Sequence, residues 1–130
     1  MNLLRNLKDG SSAREQDDIS EANPLFVYIM VPVDLDPEER HERFGDPLHE
    51  ALEKENLGAV TGGGTQFSEP DENGEDHVEF SGIDVDLYQV ERGLALLRGE
   101  LIRLKIPRGT VLCYNLKGQE HQEPVYPALS

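Results

Sequence analysis

From Leu25 to Val33 an apolar run sorts with a period of two into an aliphatic face and a second apolar face. Leu25, Val27, Ile29, Val31 and Val33 fall on one face, and Phe26, Tyr28 and Met30 on the other. Successive strand side chains point to opposite sides of a sheet, so this run predicts a strand. Because both faces are apolar, it predicts a central strand covered on both sides, or a sheet face used for binding. Asp36-Pro37-Glu38-Glu39 is a helix start: Asp36 can cap, proline suits the first helical position, and Glu39 can reach back. Gly45-Asp46-Pro47 predicts an interruption and a second start, followed by a buried stripe of Leu48, Ala51 and Leu52 that a glycine cap closes at Leu57-Gly58. Ala59 to Phe67 reads as a strand whose Gly62-Gly63-Gly64 tract predicts a bulge, a bend or a close backbone approach.

A polar, acidic hairpin loop follows, and then a third strand from His77 to Leu87. Val78, Phe80 and Gly82 keep one phase there and Ile83, Val85 and Leu87 the other, which predicts a bulge near Ser81-Gly82. Asp86 and Gln89 have the spacing of a capping box. Leu87, Val90, Leu94, Leu97, Leu101 and Leu104 then recur at helical spacing, with Arg98, Arg103 and Lys105 toward the carboxyl end where the helix dipole favours cations. Ile106-Pro107-Arg108-Gly109 ends this helix. Thr110 to Leu116 is the last strand, with Val111 and Cys113 on one face and Leu112, Tyr114 and Leu116 on the other.

Strand, helix, strand, strand, helix, strand predicts an α+β domain of ferredoxin-like βαββαβ order: a four-stranded antiparallel sheet with both helices on one face. The expected organisation is an N-terminal arm over residues 1–23, the domain over residues 24–116, and an extended C-terminal tail over residues 117–130. Gly45-Asp46-Pro47-Leu48, Gly62-Gly63-Gly64-Thr65, Gly82-Ile83-Asp84-Val85-Asp86 and Pro107-Arg108-Gly109-Thr110-Val111-Leu112 together resemble a group of small uncharacterised bacterial proteins. The resemblance spans about residues 25–116. It implies the fold and a bacterial-type cytoplasmic protein, and it implies no chemistry.

Composition narrows the function classes. The 130 residues carry 26 Asp and Glu against 12 Lys and Arg, a formal net charge of −14. That excess repels nucleic-acid phosphates and anionic lipid, and it favours cationic proteins, metal ions or simple solubility. No apolar run is long enough for a membrane span, and the first ten residues lack the apolar stretch of a signal peptide. The single cysteine, Cys113, can form no intrachain disulfide, fits a reducing compartment, and reads as a small core residue.

Two surfaces stand out as candidate sites. Between Lys54 and Arg92 there is no Lys or Arg, and Glu69, Asp71, Glu72, Glu75, Asp76 and Glu79 crowd the hairpin. This stretch is either a solvated loop or a docking surface for a basic partner. On the sheet face away from the helices, Phe26, Tyr28 and Met30 are expected beside Leu112 or Tyr114. Such a face is too apolar to be left wet, so three covers are open: the tail through Val125, Tyr126 and Leu129; a second copy of the chain; or a partner.

Local chemistry is sparse. The glycine tract is followed by neither Lys-Ser/Thr nor a helix, as a phosphate loop would be. Asp71 to Asp76 lacks the EF-hand pattern. Glu38 and His41 have ligand-like spacing without a second pair, and neither His49 nor His77 completes one. No nucleophile motif is present, and no metal, cofactor or catalytic residue is assigned. The reading is a non-catalytic acidic module that binds a protein, including an inhibitor or immunity-type role against a basic toxin. The alternatives are a small-molecule sensor using the sheet face or the glycine strand, and an enzyme with paired carboxylates such as Asp84 and Asp86.

Overall fold

The computed structural model describes residues 19–33, 35–67 and 78–126. The expectations for the N-terminal arm up to residue 18, for the hairpin loop over residues 68–77, and for Leu129 lie outside the described residues. Among the described residues nine elements follow one another: β1 (Leu25–Val31), α1 (Pro37–Arg40), a π-helical turn (His41–Gly45), α2 (Asp46–Lys54), β2 (Gly58–Phe67), β3 (Val78–Leu87), α3 (Val90–Arg103), β4 (Val111–Leu116) and β5 (Gln119–Pro124). The strands form one antiparallel sheet in the order β2-β3-β1-β4-β5. The fold is therefore α+β with helices on an antiparallel sheet, and β1 is central as its alternation predicts.

The sheet has five strands, not the four expected. Leu116 pairs with Gln119 across a two-residue turn in which Lys117 and Gly118 have φ of 54° and 78°. Positive φ at both central residues matches the twist of a hairpin, so the chain reverses here and Gln119–Pro124 adds to β4. The expected tail thus enters the sheet.

Leu25, Val27, Ile29 and Val31 of β1 meet Ile83, Val85 and Leu87 of β3 in the core, with Leu112 of β4. Phe44, Leu48 and Leu52 cover this face from the first helical crossover, and Leu94, Leu97 and Leu101 from α3. Both helical segments thus share one side of the sheet.

Several boundaries depart from the sequence expectation. Asp36 caps α1 as predicted, accepting from the N–H groups of Glu38 and Glu39 at 3.1 and 3.3 Å. Gly45-Asp46-Pro47, however, does not interrupt the helix. Gly45 and Asp46 keep helical torsions, and the Asp46 N–H reaches the His41 carbonyl, five residues back. Proline in a helix removes an N–H and crowds the carbonyl four residues earlier, and the wider π turn relieves that crowding. At the end of α2 the left-handed residue is Asn56 (φ 54°), with the Leu57 N–H bonded to the Leu52 carbonyl. Gly58 instead lies in β2, where a Cβ would run into the Asp86 carbonyl.

The capping-box expectation also fails. Asp86 stays in β3 opposite Phe26, and α3 begins at Val90 behind Gln89 with no side-chain cap. The phase change in β3 is absent too. Ser81, Ile83, Val85 and Leu87 all face the core, so the alternation runs unbroken from Phe80 onward. The register shifts lie elsewhere, between Val60 and Gly62 and between Gln66 and Phe67. Ser81 is fully buried because its hydroxyl accepts from the Leu35 N–H (2.9 Å) and donates to the Val33 carbonyl (3.0 Å). It ties the β1–α1 connection to the middle of the sheet.

Candidate functional site

Two surfaces emerge from this frame, one on each side of the β2–β3 pair. The first is the sheet face turned away from the helices. Phe26, Tyr28 and Met30 project there from β1 and pair across β3 with Asp86, Asp84 and Gly82. On the other side Tyr28 pairs with Cys113 and Met30 with Val111. Phe26 is 50% exposed, whereas Tyr28, Met30, Cys113 and Val111 are half-buried.

The Tyr28 ring packs over Gly82, where any Cβ would overlap its hydroxyl and ring edge. It also meets Phe80 edge to face, with centroids 6.2 Å apart at 75°. Burial pushes the Tyr28 hydroxyl above its ordinary value; the Asp84 carboxylate and the Cys113 thiol add to the rise and Arg40 opposes it. Cys113 is likewise raised, by burial first and then by Glu120, which keeps it a protonated thiol and a poor nucleophile.

Tyr114 is not on this face. It pairs with Val27, so it points to the helix side, where it stacks on His121 of β5 at 5.0 Å and 14°. Paired strand residues share a face, and it is Cys113 and Val111, not Tyr114 or Leu112, that flank Tyr28 and Met30. Nor do Val125 and Tyr126 cover the face. Val125 is buried in the helix-side core with its N–H on the Thr110 carbonyl at 3.0 Å, and the Tyr126 hydroxyl donates to the Ile106 carbonyl at 2.5 Å. Of the acidic hairpin residues, Glu69, Asp71, Glu72, Glu75 and Asp76 lie outside the described residues. Glu79 falls in β3 at the step where the register with β2 shifts.

The second surface is a cleft between the π-helical turn and the outer edge of β2. Its main lobe encloses about 280 Å³ and is lined by Arg40, His41 and Gly45 opposite Val60, Gly62 and Gly63. A side lobe of about 180 Å³ adds Asp46 and His49. β2 ends the sheet, so alternate backbone groups along it point away from β3. Helix side chains meet this strand at two points. The Val60 N–H donates to Nδ1 of His49 at 3.0 Å, and the Gly64 carbonyl accepts from Nη1 of Arg40 at 3.1 Å. At Gly63 a Cβ would stand 2.7 Å from the Gly82 carbonyl and 3.2 Å from Nε of Arg40, so the guanidinium packs directly on bare backbone. The tract is a close backbone approach, as its glycines predict, and the bulge lies just before it at Thr61.

Of the side chains that line this cleft, the sequence singles out His41 and His49 as candidate ligands, and neither Arg40 nor Asp46. Nothing in the spacing of Arg40, His41 and His49 announces that they converge on the glycine strand, because the π turn sets their rotation about the helix. Among the described residues no three His, Cys, Asp or Glu side chains gather as a metal site would require. No helix among them is long and apolar enough to cross a membrane. No protein-family model, no curated protein and no solved structure matches this chain.

Proposed function

We propose that this chain is a non-catalytic protein-binding module whose sheet face away from the helices docks a basic, partly apolar segment of another protein. The order β2-β3-β1-β4 supports reading the frame as a ferredoxin-like βαββαβ unit to which β5 is added. The observation that carries the function is the composition of the outer face. Phe26 is half-exposed at its centre strand, and the charged side chains set along it are Asp84, Asp86 and Glu120, with no Lys or Arg on that face among the described residues. Large apolar groups left in water are worth about 1.5–3 kcal/mol each when buried. The carboxylates beside them select a cationic occupant and speed its arrival.

The same carboxylates weigh against a second copy as the cover. Face-to-face pairing would set Asp84 and Asp86 against acidic counterparts, between chains that each carry −14. The reading extends to an inhibitory role against a basic protein, in a reducing, cytoplasmic setting.

The test uses the full chain and a synthetic peptide alternating lysine with leucine, followed by titration calorimetry. The expected result is saturable binding that weakens steeply with salt. Phe26→Ser abolishes it, and the Asp84→Asn, Asp86→Asn double variant weakens it. Binding indifferent to both variants refutes the proposal. So does a full-length homodimer in sedimentation that Phe26→Ser dissociates, since a second copy would then be the cover.

A further inference from the structure

We infer that the cleft at the glycine-strand edge is a binding site for a small oxyanion, a carboxylate or a phosphate group, held by Arg40, His41 and the backbone of β2. The first argument is charge. The chain as a whole has more than twice as many acidic as basic side chains, yet among the described lining residues one arginine balances one carboxylate and two imidazoles join them. Arg40, His41 and His49 line its two lobes, and Asp46 is the carboxylate among the lining residues. Asp46 is turned outward, largely exposed, with Nε2 of His41 3.9 Å away.

The second argument is backbone. The Thr61 hydroxyl donates to the Asp84 carbonyl, so Asp84 faces β2 and its partner Gly62 is bonded into the sheet; the alternation of the ladder then turns the Gly63 N–H outward, at the cleft that Gly63 lines. Gly62, Gly63 and Gly45 put no side chain between a ligand and this amide, and a Cβ at Gly45 would stand 3.4 Å from Nδ1 of His41. A bare amide backed by a guanidinium is a donor set that oxyanions take, since each supplies an N–H and neither a competing negative charge.

The third argument is rigidity. Arg40 is held on the Gly64 carbonyl and against Gly63, and His49 is held on the Val60 N–H, so the donors are placed before a ligand arrives. Pro37 and Ile83 supply the apolar part of the lining, which suits a compact organic acid or phosphate ester. Because Nδ1 of His49 accepts from Val60, its proton sits on Nε2, 3.5 Å from the Glu53 carboxylate. His49 therefore serves as a strut, and Arg40 and His41 are the groups that meet the ligand.

The test is an NMR titration of the isotopically labelled full chain, with inorganic phosphate in one arm and succinate in the other, at constant ionic strength. The inference expects saturable shifts at the amides of Val60, Gly62 and Gly63 and at the His41 ring, with Phe26 and Tyr28 unmoved. A response to phosphate alone assigns a phosphate ester, and a response to succinate alone assigns a carboxylate; either upholds the site. Arg40→Gln weakens the affinity about tenfold, the scale of one charge-assisted hydrogen bond. His41→Gln, at an exposed position, gives a loss in the same direction if Arg40→Gln fails to fold. The site is overturned by three results: no saturable shift in either arm, shifts spread evenly over Arg98, Arg103 and Arg108, or an affinity that both variants leave unchanged.

Discussion

Ser81→Ala is the sharpest probe of how the sheet holds the connection to α1. The substitution removes one oxygen at a site with no exposure. That oxygen accepts from the Leu35 N–H at 2.9 Å and donates to the Val33 carbonyl at 3.0 Å. Leu35 is itself buried, only 6% exposed, so its donor cannot turn to water, and an unsatisfied buried donor costs about 1–3 kcal/mol. Val33 is 39% exposed. Its carbonyl can be rehydrated, which adds roughly 0–1 kcal/mol. The expected loss is about 2 kcal/mol, and with a urea dependence of about 1–3 kcal/mol per molar the unfolding midpoint falls by roughly 1 M. Urea denaturation followed by circular dichroism measures it, and amide exchange at Leu35 reports the same bond locally. A loss under about 0.5 kcal/mol, within the range of ordinary surface changes, refutes the clasp. So does unchanged Leu35 exchange.

Leu97→Ala, at a fully buried position on α3, is expected to cost about 2–5 kcal/mol by denaturation; a value near zero would detach that stripe from the core. Asp36→Ala strips the α1 cap and costs about 1 kcal/mol, whereas Asp86→Ala, on β3 and outside any cap, stays within about 0.5 kcal/mol; a reversed order would restore the capping box at Asp86. At alkaline pH the hydroxyls of Tyr28 and Tyr114 titrate above their ordinary 10.0, raised first by burial and then by Asp84 and Glu123 respectively. Folding that raises an acid's pKa favours the protonated form, so this stability is fully present below 10.0 and is lost as pH climbs through the higher folded value. Tyrosinate absorbance of Tyr28→Phe and Tyr114→Phe should each lack part of the late-titrating component, and a titration that neither variant alters would contradict the burial of both rings.

What the sequence made legible were the elements whose side chains repeat a period. The alternation of β1 placed Leu25, Val27 and Ile29 in the core and Phe26, Tyr28 and Met30 opposite, and the leucines of α3 marked its buried stripe. The Asp36-Pro37 start was readable because its cap is local. What stayed hidden depends on partners far away in the chain. β5 reads Gln-Glu-His-Gln-Glu-Pro, with no apolar alternation, and its turn begins with lysine, which seldom takes positive φ. Ser81 looked like a break in phase because a serine on the core side is anomalous until Leu35 and Val33 are seen to need its hydroxyl. Tyr114 was drawn to the wrong face because aromatic character says nothing of register, which the Val27–Tyr114 pairing fixes. The cleft was invisible for a similar reason: a π turn rotates His41 relative to His49 by an amount no spacing rule contains.

The glycines of β2 and β3 explain why one small sheet can carry two different surfaces. Glycine in a strand costs about 0.5–1 kcal/mol against alanine, so a tract of them needs a structural return. Here the returns fall on opposite sides. Gly63 lets Arg40 lie against the strand on the helix side, and Gly82 lets the Tyr28 ring lie against it on the outer side. Gly62 sits under the Asp84 carboxylate, which is 3.5 Å from where its Cβ would be, while its backbone lines the cleft. Ser81 and Gly82 are neighbours in the same strand and divide the task. The serine anchors the connection that leads to α1 and hence to Arg40, and the glycine seats the aromatic that leads the outer face. A side chain at either glycine would therefore change a surface, not merely a strand propensity, and the two surfaces are separated by no more than the thickness of one backbone.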